Sequence, residues 1–359
     1  MGTFSYKSLQ KRGVKKQGEV NIFNIIFTLG LEHPVVFVSN SFCSFMVSML
    51  FLLARKPDVT VVSVPSGDVG LGALVACKLL KVEHIVDYRD EWEDYTINLT
   101  NSKVGRSFYS VIKKLMTALY AKCNLVTAVT PSFVTSLKRR GVTEVRLILN
   151  GADVTVFKQC DKDTVRKKLG LNEHDLIIVY SGGVGRYYKL DNVIRALAKL
   201  HNLKKDVKLL IIGGGPDLPA IFRLSKKAGL NNNVIYFGLK NDKNKVAEIL
   251  AAGDVGIIPG LYTKGQVPAK FFEYCACGMP VIAAVYKDSI LAKLIEEHRI
   301  GLIAQPMDVE GLSKIIEKMY LDREFRRIAG QRARSMVEDK FDRAKLTQRF
   351  LRLLDTLPK

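Results

Sequence analysis

Short apolar runs alternate with amphipathic stretches along almost the whole chain. Runs at 22–29, 35–38, 59–64, 84–88, 125–129 and 145–149 read as strands in the first half. Runs at 176–180, 209–212, 234–237, 254–259 and 281–285 do the same in the second. Several are continuously apolar, as suits strands buried on both faces of a parallel sheet. Helices are predicted between them, near 42–55, 70–81, 103–122, up to 140, 190–200 and 342–355. Residues 1–20 are polar and basic and read as a flexible start. Strand and helix alternating through two halves predict an α/β protein with two doubly wound sheets. The rhythm breaks after Asn150 and Gly151, so the boundary is set near 155. This gives a domain over 1–155, a second over 156–338, and a last helix over 339–359 that returns to the first domain.

Two stretches raise the question of a membrane. Residues 34–54 are long and apolar, but Ser39, Asn40, Ser41, Ser44 and Ser48 interrupt them. They read as a strand, a turn and a buried helix rather than as a span. Residues 103–122 place Phe108, Val111, Ile112, Leu115 and Leu119 on one side, with Lys103, Arg106, Lys113, Lys114 and Lys122 elsewhere. That pattern fits a helix lying on an anionic membrane, and equally a domain helix with a solvated basic face. The N-terminus has no apolar core followed by a small-residue cleavage site, so no signal peptide is read there.

Composition changes this picture at two points. With 359 residues, 48% apolar and 25% charged, the chain reads as a folded globular protein of about two domains. The net charge of +20 calls for a negatively charged partner: phosphorylated substrates, anionic lipid or nucleic acid. Basic residues are scattered through amphipathic helices without an aromatic-and-basic recognition motif, which argues against nucleic acid. The six cysteines show no CxxC spacing, and reduced thiols in the cytoplasm are expected. No metal site is expected. The pair Asp161 and Asp163 lies in the linker rather than at a strand end.

Candidate chemistry gathers where strands of the second half end. Residues 266–285, QVPAKFFEYCACGMPVIAAV, read as a short helix and a buried strand. Pro268 suits the first helical position, Gly278 the left-handed position after the last turn, and Pro280 stops continuation. Lys270 and Glu273 lie three apart on one face, as a surface ion pair or as a grip on a charged, hydroxyl-rich ligand. After the strand at 176–180 comes SGGVGRYYK, where Gly183 and Gly185 let a ligand approach the backbone and Arg186 and Lys189 add cationic donors. Gly214 and Gly215 follow the strand at 209–212 without forming a GxGxxG fingerprint. Asp90 ends the strand at 84–88.

These motifs carry a family resemblance over roughly 57–350. Residues 182–189, 211–216 (IIGGGP) and 268–274 (PAKFFEY) with 278–282 (GMPVI) resemble the nucleotide-sugar domain of family-4, group 1, retaining glycosyltransferases. Residues 87–92 (DYRDEW) and 148–153 (ILNGAD) are similar to segments of that family's other domain. The resemblance implies the GT-B fold, two Rossmann-like domains facing a central cleft. It implies a metal-independent hexosyltransferase with no cofactor beyond the nucleotide sugar, UDP- or GDP-linked, as co-substrate.

Glu273 would then accept hydrogen bonds from ribose hydroxyls, and Arg186 and Lys189 would neutralise the leaving diphosphate. Lys270 would meet a phosphate, Asp90 a sugar, and Gly183, Gly185, Gly214 and Gly215 the donor. The family's other glutamate falls at Gly265 here, which leaves the donor sugar unspecified. The acceptor implied is a glycan or a polyprenyl-phosphate-linked one, at the cytoplasmic face of an anionic membrane. The rival classes are a Rossmann-type oxidoreductase or epimerase, for which no GxGxxG turn with a following acid is found, and a basic nucleic-acid binder.

Overall fold

The computed structural model describes residues 15–17, 20–22, 33–201, 206–261 and 263–356. The polar start at 1–20 and the apolar run at 22–29 lie mostly outside the described residues. The chain divides into two compact units between Leu147 and Ile148, earlier than the boundary expected near 155.

In the first unit a short antiparallel pair, β1 (Lys15–Gln17) and β2 (Val20–Ile22), precedes α1 (Pro34–Arg55). There follow β3 (Val59–Val64), α2 (Gly67–Leu79), β4 (Glu83–Tyr88), α3 (Trp92–Leu99), α4 (Lys103–Tyr120), β5 (Leu125–Ala128), α5 (Pro131–Arg139) and β6 (Val145–Leu147). Strands β3-β4-β5-β6 form a parallel sheet in that order. One face, with Val62, Val64, Val86, Tyr88, Val126 and Ala128, packs on the helices.

The largest departure from expectation is α1. It is one continuous helix over 22 residues, not a strand, a turn and a helix. His33 caps its start by accepting from the Val35 N–H, Pro34 occupies the first turn, and Lys56 ends it in the left-handed region. Of the polar residues within it, Asn40, Ser41 and Ser44 turn toward α2, while Ser39 is exposed. Asn40 Nδ2 donates to Asp68 Oδ2 at 2.8 Å, and Ser44 Oγ donates to the Val69 carbonyl at 2.8 Å. Gly72 lets the two backbones meet, since a Cβ there would lie 2.3 Å from the Ser41 carbonyl oxygen.

Behind the sheet, the DYRDEW segment turns inward. Trp92 stacks on Phe37, and Glu93 is fully buried. Arg140 Nη2 reaches Glu93 Oε1 at 2.9 Å and its Nη1 donates to the Tyr88 hydroxyl at 3.2 Å. Tyr88 donates in turn to Glu93 Oε2 at 2.8 Å. A buried charge pair is tolerable only with its hydrogen bonds filled in this way.

The second unit holds α6 (Lys162–Lys168), β7 (Leu176–Gly183), α7 (Leu190–His201), β8 (Val207–Gly214), α8 (Leu218–Lys227), β9 (Val234–Tyr236), α9 (Lys243–Ala251) and β10 (Val255–Ile258). It continues through α10 (Ala269–Ala276), β11 (Val281–Ala284), α11 (Ile290–His298), β12 (Gly301–Ala304), α12 (Val309–Leu321), α13 (Arg323–Lys340) and α14 (Arg343–Leu354). The last helix groups with this unit. It begins beside the linker, where Ala152 N–H donates to the Phe341 carbonyl at 3.0 Å and Arg343 N–H to the Ala152 carbonyl at 2.9 Å.

The sheet is parallel in the order β12-β11-β10-β7-β8-β9. Alternate residues of β7, such as Ile177 and Val179 against Ile178 and Tyr180, fill separate cores on its two faces. That is why these strands read as unbroken apolar runs. The order reverses direction between β7 and β10, and a doubly wound sheet opens a ligand crevice at such a point. Asp161 caps α6 by accepting from the Asp163 N–H.

Candidate active site

The carboxyl ends of β7, β8 and β10 meet at the reversal point, and the residues singled out in the second half converge there. β7 runs on into its glycines and is followed by a single 3-10 turn over Arg186–Tyr188. Tyrosines fix this loop. Tyr274 of α10 accepts from the Ser181 N–H at 2.7 Å, Tyr180 donates to the Gly183 carbonyl, and Tyr236 donates to the Gly213 carbonyl at 2.9 Å. The loop after β8 packs directly on it: Val184 N–H donates to the Gly214 carbonyl at 2.9 Å. A Cβ on Gly215 would lie 2.1 Å from the Val184 carbonyl oxygen, so this glycine is required for backbone packing. Gly183 is exposed, and a Cβ on Gly185 would meet nothing within 4 Å, so both leave room for a ligand.

The β10 end closes the other side. Gly260 lies beside the Tyr187 carbonyl and the Lys189 stem, at 3.1 and 3.3 Å from the position of a Cβ. Lys189 takes a left-handed backbone, φ 51°, that turns the chain into α7. Arg186 is exposed and Lys189 partly so. Neither has a carboxylate partner among the described residues.

From Gly260 the chain reaches α10, where Pro268 is the N-cap rather than the first helical residue and Gly278, φ 71°, follows the last turn. Lys270 and Glu273 do not pair with each other. The Lys270 ammonium nitrogen instead lies 4.1 Å from the Tyr180 ring centroid and 4.9 Å from that of Tyr188. It passes so close to Gly182 that a Cβ there would lie 2.8 Å from it. Burial lowers its pKa to about 7, against a smaller opposing pull from Glu273. The Glu273 carboxylate makes no hydrogen bond among the described residues. Burial raises its pKa, while Arg343, Lys243 and Lys270 hold it down in part. A half-buried carboxylate set among Arg343, Lys243 and Lys270 could accept hydroxyl donors of a ligand that also carries negative charge.

Position 265, where the resemblance would put a second glutamate, is a buried glycine. Its neighbour Lys264 pairs with Asp288 at 2.6 Å and lies 5.0 Å from the Tyr286 ring centroid. The remaining sequence candidate, Asp90, belongs to the first unit. Its Oδ1 accepts from the Glu91 N–H at 2.9 Å, and its pKa is pushed up to about 6, chiefly by burial.

Sequence reasoning gave no role to Tyr180, Tyr188, Tyr236 and Tyr274. Their signal was present as tyrosines interleaved with glycine loops at strand ends. Among the described residues no cluster of His, Cys, Asp and Glu could hold a metal ion.

Comparison with known proteins agrees with this geometry. Residues 161–336 match the family described as glycosyl transferases group 1. Among curated relatives, N-acetyl-alpha-D-glucosaminyl L-malate synthase of Bacillus anthracis is 25% identical over 229 residues, 63% of this chain and 58% of that protein. The GDP-mannose-dependent monoacylated alpha-(1-6)-phosphatidylinositol monomannoside mannosyltransferase of Corynebacterium glutamicum is 27% identical over 58% of this chain and 56% of that one. The chain thus spans less than two thirds of each of these relatives. Among solved structures, Anabaena Alr3699/HepE in complex with UDP and glucose superposes with a TM-score of 0.73 at 18% identity, over 87% of this chain and 81% of that one. The second unit accordingly matches the group 1 glycosyl transferases, and the chain has the GT-B fold.

Proposed function

We propose that the protein is a retaining, metal-independent glycosyltransferase of the hexosyltransferase type. It moves a sugar from a UDP- or GDP-sugar to a lipid-linked or cell-surface glycan acceptor at the cytoplasmic face of a membrane. The carrying observation is Glu273, a carboxylate at the β7–β10 reversal point that has no hydrogen-bond partner among the described residues and is set among Arg343, Lys243 and Lys270. A carboxylate can accept from both hydroxyls of a ribose diol at once. Arg186 and Lys189, at the end of β7, supply donors for a diphosphate. They neutralise charge that grows as the nucleotide leaves, which is the task a divalent metal would otherwise perform.

Gly183 and Gly185 admit the donor to the backbone of the loop, and Asp90 is assigned to contact with a sugar. Support also comes from the named relatives, which include a GDP-mannose-dependent transferase, and from the UDP-bound structure that shares the fold. Membrane-face placement draws on the net charge of +20 and on the basic helix α4. A thermal-shift screen with UDP, GDP and NAD tests the reading. UDP or GDP should raise the melting temperature and NAD should not; stabilisation by NAD alone would overturn it.

A further inference from the structure

The first unit presents a surface that the donor site does not use. From Pro34 to Ala54 the helix α1 contains no charged residue, and it is long and apolar enough to cross a membrane by length and composition. Only five of its residues are buried: Phe37, Asn40, Ser41, Ser44 and Leu52. Val35, Val38, Phe42, Met46, Leu50 and Leu53 are exposed, from 44% at Met46 to 68% at Val35. At 100° per residue these six fall within about a third of the helix circumference. They form one apolar face, interrupted by the exposed Ser39 and larger than the isolated exposed side chains normal for a soluble domain.

A second helix carries the same chemistry beside it. α4 contacts α1 through Phe108 and Tyr109, whose rings lie 5.9 and 5.7 Å from that of Phe37. On α4, Val104, Val111 and Leu115 are exposed at 79%, 62% and 44%. Around them stand the exposed cations Lys103, Arg106 and Lys114, while Arg55 and Lys56 close the end of α1. Neither helix contains an acidic residue.

We propose that α1 lies in the plane of an anionic bilayer, its apolar face inserted at the headgroup–acyl boundary and the α4 cations on lipid phosphates. This deepens the membrane placement proposed above and is independent of the donor site. The helix lies on the bilayer and does not span it. Its opposite face is fastened to α2 by the Asn40–Asp68 and Ser44–Val69 hydrogen bonds and by the close approach at Gly72. Spanning would break those contacts and carry Asn40 into hydrocarbon. Lipid suits the face better than a protein partner does. The patch has an uncharged centre and a mainly basic rim, with Lys103, Arg106, Lys114, Arg55 and Lys56 against Asp58, which complements a sheet of phosphates.

The test is co-sedimentation of the full chain with vesicles of phosphatidylcholine alone or mixed with phosphatidylglycerol, at low and high salt. Binding should require the anionic lipid. The double substitution Phe42→Glu with Leu50→Glu should reduce it by at least about tenfold. Lys103→Glu with Lys114→Glu should weaken binding and flatten its salt dependence. All four positions are exposed, so the melting temperature and its rise with UDP should match wild type, which separates lost lipid binding from lost fold or lost donor binding. Three results would overturn the proposal: no vesicle binding by wild type, equal binding by the Phe42→Glu/Leu50→Glu protein, or sedimentation in solution as a dimer that this substitution dissolves.

Discussion

The ammonium of Lys270 lies 4.1 Å above the ring of Tyr180, and no carboxylate pairs with it among the described residues. The groups facing it are the Tyr180 and Tyr188 rings and, one turn along α10, Glu273; Tyr274 stands behind Tyr180. A cation–π contact replaces only part of the hydration that burial removes. The amine is therefore only partly protonated at physiological pH, and a diphosphate would draw it further to the charged form.

The sign of its pH dependence follows. With a native value of about 7 against an ordinary 10.5, the native state binds fewer protons than the unfolded chain between those limits. Stability should rise with pH across that window. Lys270→Met should therefore raise the melting temperature most below pH 7, with the gain fading toward pH 10. UDP affinity, measured by calorimetry above pH 7.5 where the ligand is fully ionised, should fall as pH rises in wild type. It should stay nearly flat in Lys270→Arg, whose guanidinium does not titrate there.

Removing the Glu273 carboxylate should weaken nucleotide diphosphate binding while leaving the fold intact, because it makes no hydrogen bond among the described residues. Two charge-assisted hydrogen bonds to ribose are in question, each worth about 1.5–3 kcal/mol at most. The expected loss in Glu273→Ala is about 100- to 10,000-fold in calorimetry. Glu273→Gln, which keeps one acceptor oxygen, should fall between. Unchanged UDP affinity in the alanine variant would remove Glu273 from the donor site.

Much of this was legible in the sequence, for reasons that differ by element. The second unit's strands are buried on both faces, so β7, β8 and β11 appear as apolar runs with glycines at their carboxyl ends. Those glycines, with Arg186, Lys189, Lys270 and Glu273, could be placed near one crevice because topology alone brings strand ends together. The pairing within the crevice was not legible. Lys270 and Glu273 sit at ion-pair spacing, yet Lys270 turns to a tyrosine contributed by a strand ninety residues away in sequence. α1 was misread because Asn40, Ser41 and Ser44 looked like interruptions. Their partners, Asp68 and Val69, lie on a helix whose approach depends on Gly72. The start of α14 is fixed by a backbone pairing at Ala152, which no side-chain pattern announces.

The Arg140–Glu93 pair should be a stability determinant of the first unit alone. Glu93 is fully buried, and its oxygens are occupied by Arg140 and the Tyr88 hydroxyl. Arg140→Met would leave that carboxylate buried without its cation, at a cost of about 3–5 kcal/mol. Denaturant unfolding should show the loss as a lowered midpoint. UDP affinity, a property of the second unit, should be unchanged at temperatures where the variant is folded. A loss under 1 kcal/mol (about one fifth of the upper expectation) would mean that water already reaches the pair.

Asp90 offers a test in which stability and activity should move in opposite directions. Burial, with smaller contributions from Glu91 and Glu93, raises its pKa to about 6, although the Glu91 N–H favours the charged form. The native state then binds more protons than the unfolded chain between about pH 4 and 6, so this group's contribution to stability falls as pH rises through that range. Asp90→Asn, neutral throughout, should melt higher than wild type at pH 7–8 and about level with it near pH 4. A carboxylate kept in a setting that penalises its charge is characteristic of a group retained for function. The same substitution should therefore lower the rate of sugar transfer while leaving UDP affinity within about twofold. A variant that is more stable at pH 8 and transfers sugar at the wild-type rate would show that Asp90 touches neither sugar.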